Sequence, residues 1–207
     1  MSIFITFEGA DGSGKTTQIK LLARWLEQQG HSVLTTREPG GTTLGEELRN
    51  LLLHSGDMNA KAEALIFAAA RSQHASEVMR PAVDSGTIVL CDRYIDSSAA
   101  YQGYGRRLGV QKIIDLSLWA TDNFIPDLTL VLDVDTHSSQ ERRSARSADD
   151  RIEASGVEFM EKTRQAFLKL AQENPENHHV IDANGTVDQV FEKVVAVVQE
   201  KFPQVAS

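Results

Sequence analysis

The chain has 207 residues, 41% of them hydrophobic, with no linker-like stretch or shift in composition, so one core-forming domain is expected over its whole length. A formal net charge of -8 excludes a nonspecific surface for nucleic acid and requires that any residues handling phosphates be grouped locally. A single cysteine, Cys91, excludes an internal disulfide, and no apolar run reaches the roughly 18 residues of a membrane helix, so the expectation is a cytoplasmic protein without a membrane partner.

An apolar run predicts a buried strand over residues 3–7, and apolar periodicity predicts a helix over 18–26. Between them Gly9-Ala10-Asp11-Gly12-Ser13-Gly14-Lys15-Thr16 meets the phosphate-loop pattern G-x-x-x-x-G-K-[ST] in the context of strand, loop and helix that it requires, with Thr17 following. Glycines let backbone amides converge on phosphate oxygens, and the helix dipole adds positive potential. Lys15 is then expected at the β- and γ-phosphates and the Thr16 hydroxyl in a Mg²⁺ shell, so a nucleoside triphosphate is the expected ligand. Further strands are predicted over residues 32–36, 87–91, 128–133 and 179–181. Helices are predicted over 43–53, 60–84, 111–121, 157–172 and 187–201, with Pro81 set to end or kink the second of these.

Five strands alternating with helices imply an α/β fold with a five-stranded parallel sheet covered by helices on both faces. In such a sheet ligands bind beyond the carboxyl ends of the strands. The glycine loop follows the first strand, Arg37-Glu38-Pro39-Gly40-Gly41-Thr42 the second and Asp92-Arg93-Tyr94 the third, all at one edge. Asp92 ends an apolar strand, the position from which a carboxylate meets a metal or its waters in phosphate-loop enzymes. Asp133 ends the fourth strand in the same way and is its rival, and for both the plain alternative is capping the next helix. Asp92 is favoured because Arg93 beside it supplies a phosphate partner.

Arg37, Arg49, Arg71 and Arg93 are expected near the same edge, which calls for an acceptor with a phosphate of its own. The i,i+4 spacing of Phe67 and Arg71 lets a ring and a fork address one flat base, with core packing as the alternative for Phe67. Arg142, Arg143, Arg146 and Arg151 crowd one segment. That segment is either a solvated face or a flexible closure that neutralises charge at a moving phosphoryl group, a task the glycine loop, with Lys15 alone, leaves unfilled.

These motifs, together with Tyr101-Gln102-Gly103 and the arginine-rich segment ending Asp150-Arg151-Ile152-Glu153, resemble the thymidylate kinases, which pass a phosphoryl group from ATP to dTMP. The resemblance covers almost the whole chain. It implies a three-layer P-loop NTPase fold, one domain over residues 1–207 with a short arginine-rich lid at about 137–155, Mg²⁺ as cofactor, and ATP and dTMP as partners. ATP contacts are implied for Gly9, Ala10, Asp11, Gly12, Ser13, Gly14, Lys15, Thr16 and Thr17, with Asn184, Gly185 and Thr186 bordering adenine. Metal contacts are implied for Thr16 and Asp92.

For dTMP, the resemblance implies Asp11 at the sugar 3′-hydroxyl, Glu38 ordering the site, Phe67 stacked on thymine and Arg71 at its carbonyl edge. Arg93 and Arg49 fall to the acceptor phosphate, and Ser97, Ser98, Tyr101 and Gln102 to base and sugar. Lys15, Arg93, Arg146 and Arg151 are the implied catalytic groups. The loop, with Asp11-Gly12 and no arginine, is similar to the bacterial type, in which the lid supplies the catalytic arginine. The family is usually dimeric, and the small patch Ala68-Ala69-Ala70 on the long 60–84 helix is a candidate for packing against a second copy. Another P-loop nucleotide or deoxynucleoside kinase stays open as an alternative. A nucleotide switch is disfavoured because no N-K-x-D base reader is found.

Overall fold

Strands β1 (Ile3–Glu8), β3 (Ile88–Asp92) and β4 (Leu128–Asp133) are almost wholly buried, as unbroken apolar runs should be when both faces of a sheet are covered. The half-exposed β2 (Val33–Arg37) and β5 (His178–Asp182) flank them. All five pair in parallel in the order β2-β3-β1-β4-β5. The computed structural model describes residues 2–135, 137–139, 151–152 and 156–206.

Alternation along β1 sends successive side chains to opposite layers. Ile3, Ile5 and Phe7 pack with Leu22 and Leu26 of α1 (Lys15–Gln28) and with Val190, Val194 and Val198 of α8 (Val187–Lys201). Phe4, on the other face, packs with Met79, Tyr94 and Ile95, while Val131 meets Tyr101 and Phe167, the latter on α7 (Val157–Glu173). Between the strand faces, the Thr6 and Thr129 hydroxyls pair at 3.0 Å, so neither buried polar group is left without a partner.

Helices α2 (Thr43–His54) and α6 (Val110–Ala120) stand where the sequence predicts them. The predicted 60–84 helix is three pieces: α3 (Ala60–His74), a π-helical turn (Ala75–Met79) and α4 (Arg80–Asp84). Pro81 has no N–H to continue the regular ladder, and the chain loosens in the turn before it. A helix that periodicity did not predict follows β3, beginning as α5 (Ile95–Ser98) and continuing as a π-helical stretch (Ala99–Gly105). Its wide turns and near-total burial erase the 3.6-residue pattern. Ala68 and Ala70 are buried within the chain, so of the alanine patch only Ala69 is exposed on α3.

Candidate active site

Arg37, Asp92 and Phe7 are in register across β2, β3 and β1, so the segments leaving these three strands start level with one another. After β1 the backbone turns sharply at Gly9, with φ +129, where a Cβ would collide with the Leu132 carbonyl. The buried Lys15 donates from Nζ to the Gly9 and Ala10 carbonyls, at 3.0 Å each, which wraps the loop around the ammonium. Burial and then the like charge of Arg93 lower its pKa.

Thr16 Oγ1 donates to Asp92 Oδ2 at 2.7 Å. Asp133 is instead gripped by Arg164 of α7 through two bonds of 2.6 and 2.9 Å. Of the two strand-end aspartates, Asp92 is the one beside the glycine loop, and Asp133 belongs to an ion pair between strand and helix.

Arg93 faces the loop from the opposite side. Its backbone sits at φ +71, an unusual conformation for a residue with a full side chain, and its N–H is tied to the Phe7 carbonyl at 2.9 Å. The guanidinium donates to Asp11 Oδ1 at 2.7 Å and Ser97 Oγ at 2.9 Å, and lies 5.2 Å from the centre of the Tyr101 ring. The Tyr101 hydroxyl in turn donates to Asp11 Oδ2 at 3.0 Å. Burial alone would raise the Asp11 pKa, but Arg93 and Lys15 outweigh it and hold the carboxyl well below its ordinary range.

Next to this cluster opens a pocket of about 580 Å³, part of it exposed to solvent. The ten residues that the resemblance places around dTMP all line it, together with Pro39, Leu53 and Ile152. Phe67 and Arg71 meet there as their spacing requires. Arg71 is nevertheless mostly spent within the protein. Its Nε donates to Glu38 Oε2 at 2.7 Å, Nη1 to Ser117 Oγ at 2.9 Å, and Nη2 to the Tyr94 carbonyl at 2.9 Å and Ser98 Oγ at 3.0 Å.

Glu38, beside a cis bond to Pro39, also meets His74 Nδ1 at 3.2 Å, and His74 Nε2 lies 2.7 Å from Thr36 Oγ1. Gly41, at φ +81, lets the backbone pass against that imidazole, where a Cβ would collide. Gln102 donates to Glu63 Oε1 at 2.9 Å, and Arg49 Nη1 to the Pro39 carbonyl at 2.9 Å.

The pocket adjoins a polar groove over Gly12, Gly14, Lys15, Thr16 and Asp92, and the two share Asp11, Glu38, Arg49 and Arg93 in their walls. Beyond the loop the groove meets a cleft bounded by Gly12, Ser13, Gly14, Gly185 and Thr186. A model of the thymidylate kinase family matches residues 7–194 of this sequence. The chain belongs to the thymidylate kinase family. It is 50% identical over 202 residues to the thymidylate kinase of Bifidobacterium longum subsp. infantis, covering 95% of this chain and 86% of that one. With the enzyme of Clavibacter sepedonicus it shares 52% over 183 residues, 87% of each chain. The crystal structure of thymidylate kinase from Ehrlichia chaffeensis matches with a TM-score of 0.81 and 37% identity, covering 96% of this chain and 99% of the other.

Against the pattern that the thymidylate kinase family implies, two expectations shift. Arg151, expected to reach the transferring phosphoryl group, is held by residues of α2 and α3. Its Nε donates to the Leu52 carbonyl at 2.8 Å and its Nη2 pairs with Glu63 Oε2 at 2.7 Å, where it joins Arg106 in compensating a buried carboxylate on α3. Thr186 accepts from Gln189 in a capping box at the start of α8, Asn184 Nδ2 is held by Asp182 Oδ1 at 2.8 Å, and of the three loop residues Gly185 and Thr186 line the cleft. Arg146 lies outside the described residues, as do Arg142, Arg143, Asp150 and Glu153.

Three buried residues that hold side chains of the thymidylate kinase site from behind escape the reading of the sequence: Glu8, Glu63 and His74, each at most 1% exposed. Glu8 ends β1 as Asp92 ends β3, so the strand-end rule that singled out Asp92 applies to it too. Burial, with Asp96 adding, pushes its carboxyl up to about 7. Nothing in the spacing of Glu63 or His74 distinguishes them from surface positions of a helix.

Proposed function

We propose that this chain is a dTMP kinase that transfers the γ-phosphoryl group of ATP to the phosphate of dTMP, giving dTDP and ADP for dTTP synthesis. The observation that carries this reading is the row of three adjoining cavities, beside Thr186, over the glycine loop and around Phe67, which supports two phosphorylated molecules bound end to end. A dTMP phosphate oxygen forms a bond to the γ-phosphorus as the bond from that phosphorus to the β,γ-bridging oxygen breaks, and ADP leaves with that oxygen. No covalent enzyme intermediate is needed, so positioning and charge stabilisation do the catalysis.

Lys15 exchanges its contacts with the loop carbonyls for the β- and γ-phosphates. Arg93 releases Asp11 to hold the acceptor phosphate with Arg49, leaving Asp11 for the sugar 3′-hydroxyl. Phe67 stacks on the base, while Ser97, Ser98, Tyr101 and Gln102 complete the walls. Glu38 and Arg71 hold each other and the pocket's floor, with Arg71 keeping one Nη1 proton for a carbonyl edge. The whole chain acts as one domain with its lid at about 137–155. Within that lid Arg146 reaches the transferring group, while Arg151, anchored by Glu63, fastens the lid's end.

Thr16 and Asp92 supply two hard oxygen donors 2.7 Å apart at the mouth of the loop, which suits Mg²⁺. Among the described residues there is no group of three or more His, Cys, Asp or Glu fit to hold a metal, in keeping with a cation that takes most of its shell from nucleotide phosphates and water. When bound, Mg²⁺ neutralises phosphate charge. Asp92→Asn is expected to raise the Mg²⁺ concentration for half-maximal rate by about tenfold, read from a metal titration at saturating ATP and dTMP.

A homodimer is part of this reading, formed through exposed apolar residues on three helices that pack side by side: Leu51 on α2, Leu65 on α3 and, 78% exposed, Trp119 on α6. The compartment is the cytoplasm, in keeping with a free, buried Cys91. No helix among the described residues is long and apolar enough to cross a membrane. The deciding experiment is a panel of dTMP, dCMP, UMP and thymidine with ATP and Mg²⁺. We expect kcat/KM for dTMP to exceed the others by about 100-fold or more, because a site built to hold a phosphate and a base edge leaves buried polar groups unpaired with the wrong acceptor. A preference for any other member of the panel would sink the reading.

A further inference from the structure

Glu8 lines neither the pocket nor the groove over the glycine loop, and as the last residue of β1 it turns toward α5, away from α1. It is fully buried, yet both carboxylate oxygens are in use. Oε1 accepts the Tyr94 N–H at 2.7 Å and the Ser97 N–H at 3.3 Å, and Oε2 accepts the Ser97 hydroxyl at 2.6 Å. The Ser97 Oγ is at the same time the acceptor for Arg93 Nη1 at 2.9 Å.

We propose that Glu8 is a positioning residue that aims the Arg93 guanidinium at the acceptor phosphate, acting through the Ser97 hydroxyl. The inference rests on the reading of Arg93 given above. A serine hydroxyl has one proton and two lone pairs. With the proton committed to the Glu8 carboxylate, only lone pairs are presented to Arg93, and the relay has a fixed direction. An uncharged group at position 8 that donates to Ser97 Oγ reverses it: the serine proton is then turned toward the guanidinium, whose own N–H it opposes.

The backbone depends on the same carboxylate. Arg93 holds a left-handed conformation at φ +71, and the two amides that pin this turn are its own, on the Phe7 carbonyl, and that of Tyr94, on Glu8. Once Asp11 is given over to the nucleotide sugar, the guanidinium keeps Ser97, backed by Glu8, on Nη1 and the Tyr101 hydroxyl, at 3.3 Å, on Nη2. The charges facing Glu8 are Asp96 on α5, which opposes its ionisation, and Arg93, which favours it, with Lys15 from α1 and His178 from β5 in its field.

The test is calorimetric binding of dTMP and of unphosphorylated thymidine to the full-length protein and to Glu8→Gln, Ser97→Ala, the double variant and Arg93→Lys, at pH 8, above the value of about 7 to which the Glu8 carboxyl is pushed. Glu8→Gln is expected to weaken dTMP about tenfold with thymidine changed less than about twofold, and the double variant to be no weaker than about twofold beyond the weaker single one, since both cut one relay. Equal losses for dTMP and thymidine mark a merely structural role and overturn the inference. So does unchanged dTMP binding in Glu8→Gln while Arg93→Lys weakens it. Unchanged dTMP binding in Arg93→Lys strikes instead at the reading of Arg93. If Glu8→Gln does not fold, Ser97→Ala decides: loss confined to dTMP supports the relay, and dTMP binding as in the parent overturns it.

Discussion

Lys15→Met is expected to lower kcat for dTDP formation by about 10²–10³ while leaving Tm unchanged or raised. The rate loss follows from removing the only cation that the loop itself supplies to the phosphates. The second half of the expectation follows from the state of Lys15 without ligand. It is buried, it neighbours Arg93, and its pKa is lowered by burial and by that like charge. A lysine whose folded pKa is depressed opposes folding at every pH below its unfolded value, neutral pH included. Methionine keeps much of the stem and removes the charge. Initial rates at saturating ATP and dTMP, read beside a thermal melt, check both halves. A variant that transfers phosphate within about fivefold of the parent would remove Lys15 from the chemistry.

The second large effect is on stability. Arg71→Met is expected to cost about 3–5 kcal/mol, because it leaves the Glu38 carboxylate buried without its guanidinium. Side chains of the pair are 2% and 3% exposed, so water cannot take the lost partner's place. His74 at 3.2 Å would be the remaining neighbour on Glu38, and Ser98, Ser117 and the Tyr94 carbonyl would each lose a donor. Removing both charges is gentler than removing one. The Arg71→Met/Glu38→Gln double variant is therefore expected to be more stable than Arg71→Met by about 1–2 kcal/mol, measured from urea midpoints at constant m. A cost below about 1 kcal/mol for Arg71→Met, or a double variant less stable than the single, contradicts the account.

The glycine loop and the strands β1, β3 and β4 were legible in the sequence because each follows from local physics. An unbroken apolar run has only a doubly covered strand to occupy, and G-x-x-x-x-G-K-[ST] between strand and helix has a stereochemical task that few other sequences meet. The same locality explains the partial readings. The break of the 60–84 helix was foreseen in Pro81 but not its π-helical form, and α5 with its continuation was missed because wide turns buried on nearly all sides carry no amphipathic period. The ten pocket residues were named from the resemblance, and the strand ends level in register show how such distant segments meet.

By itself the sequence determined that this chain is an α/β phosphate-loop protein with its chemistry at the carboxyl edge of a parallel sheet, and its resemblance named ten of the side chains that line the pocket there. Only the tertiary structure decided how those side chains are spent. Arg71 is committed to Glu38 and Arg151 to Glu63, Asp133 is taken by Arg164, and Glu8 reaches Arg93 through Ser97 across 89 positions of sequence. The reason is that a charged side chain acts according to its burial and the partner opposite it, and a linear pattern reports which face a residue occupies but not what stands across from it.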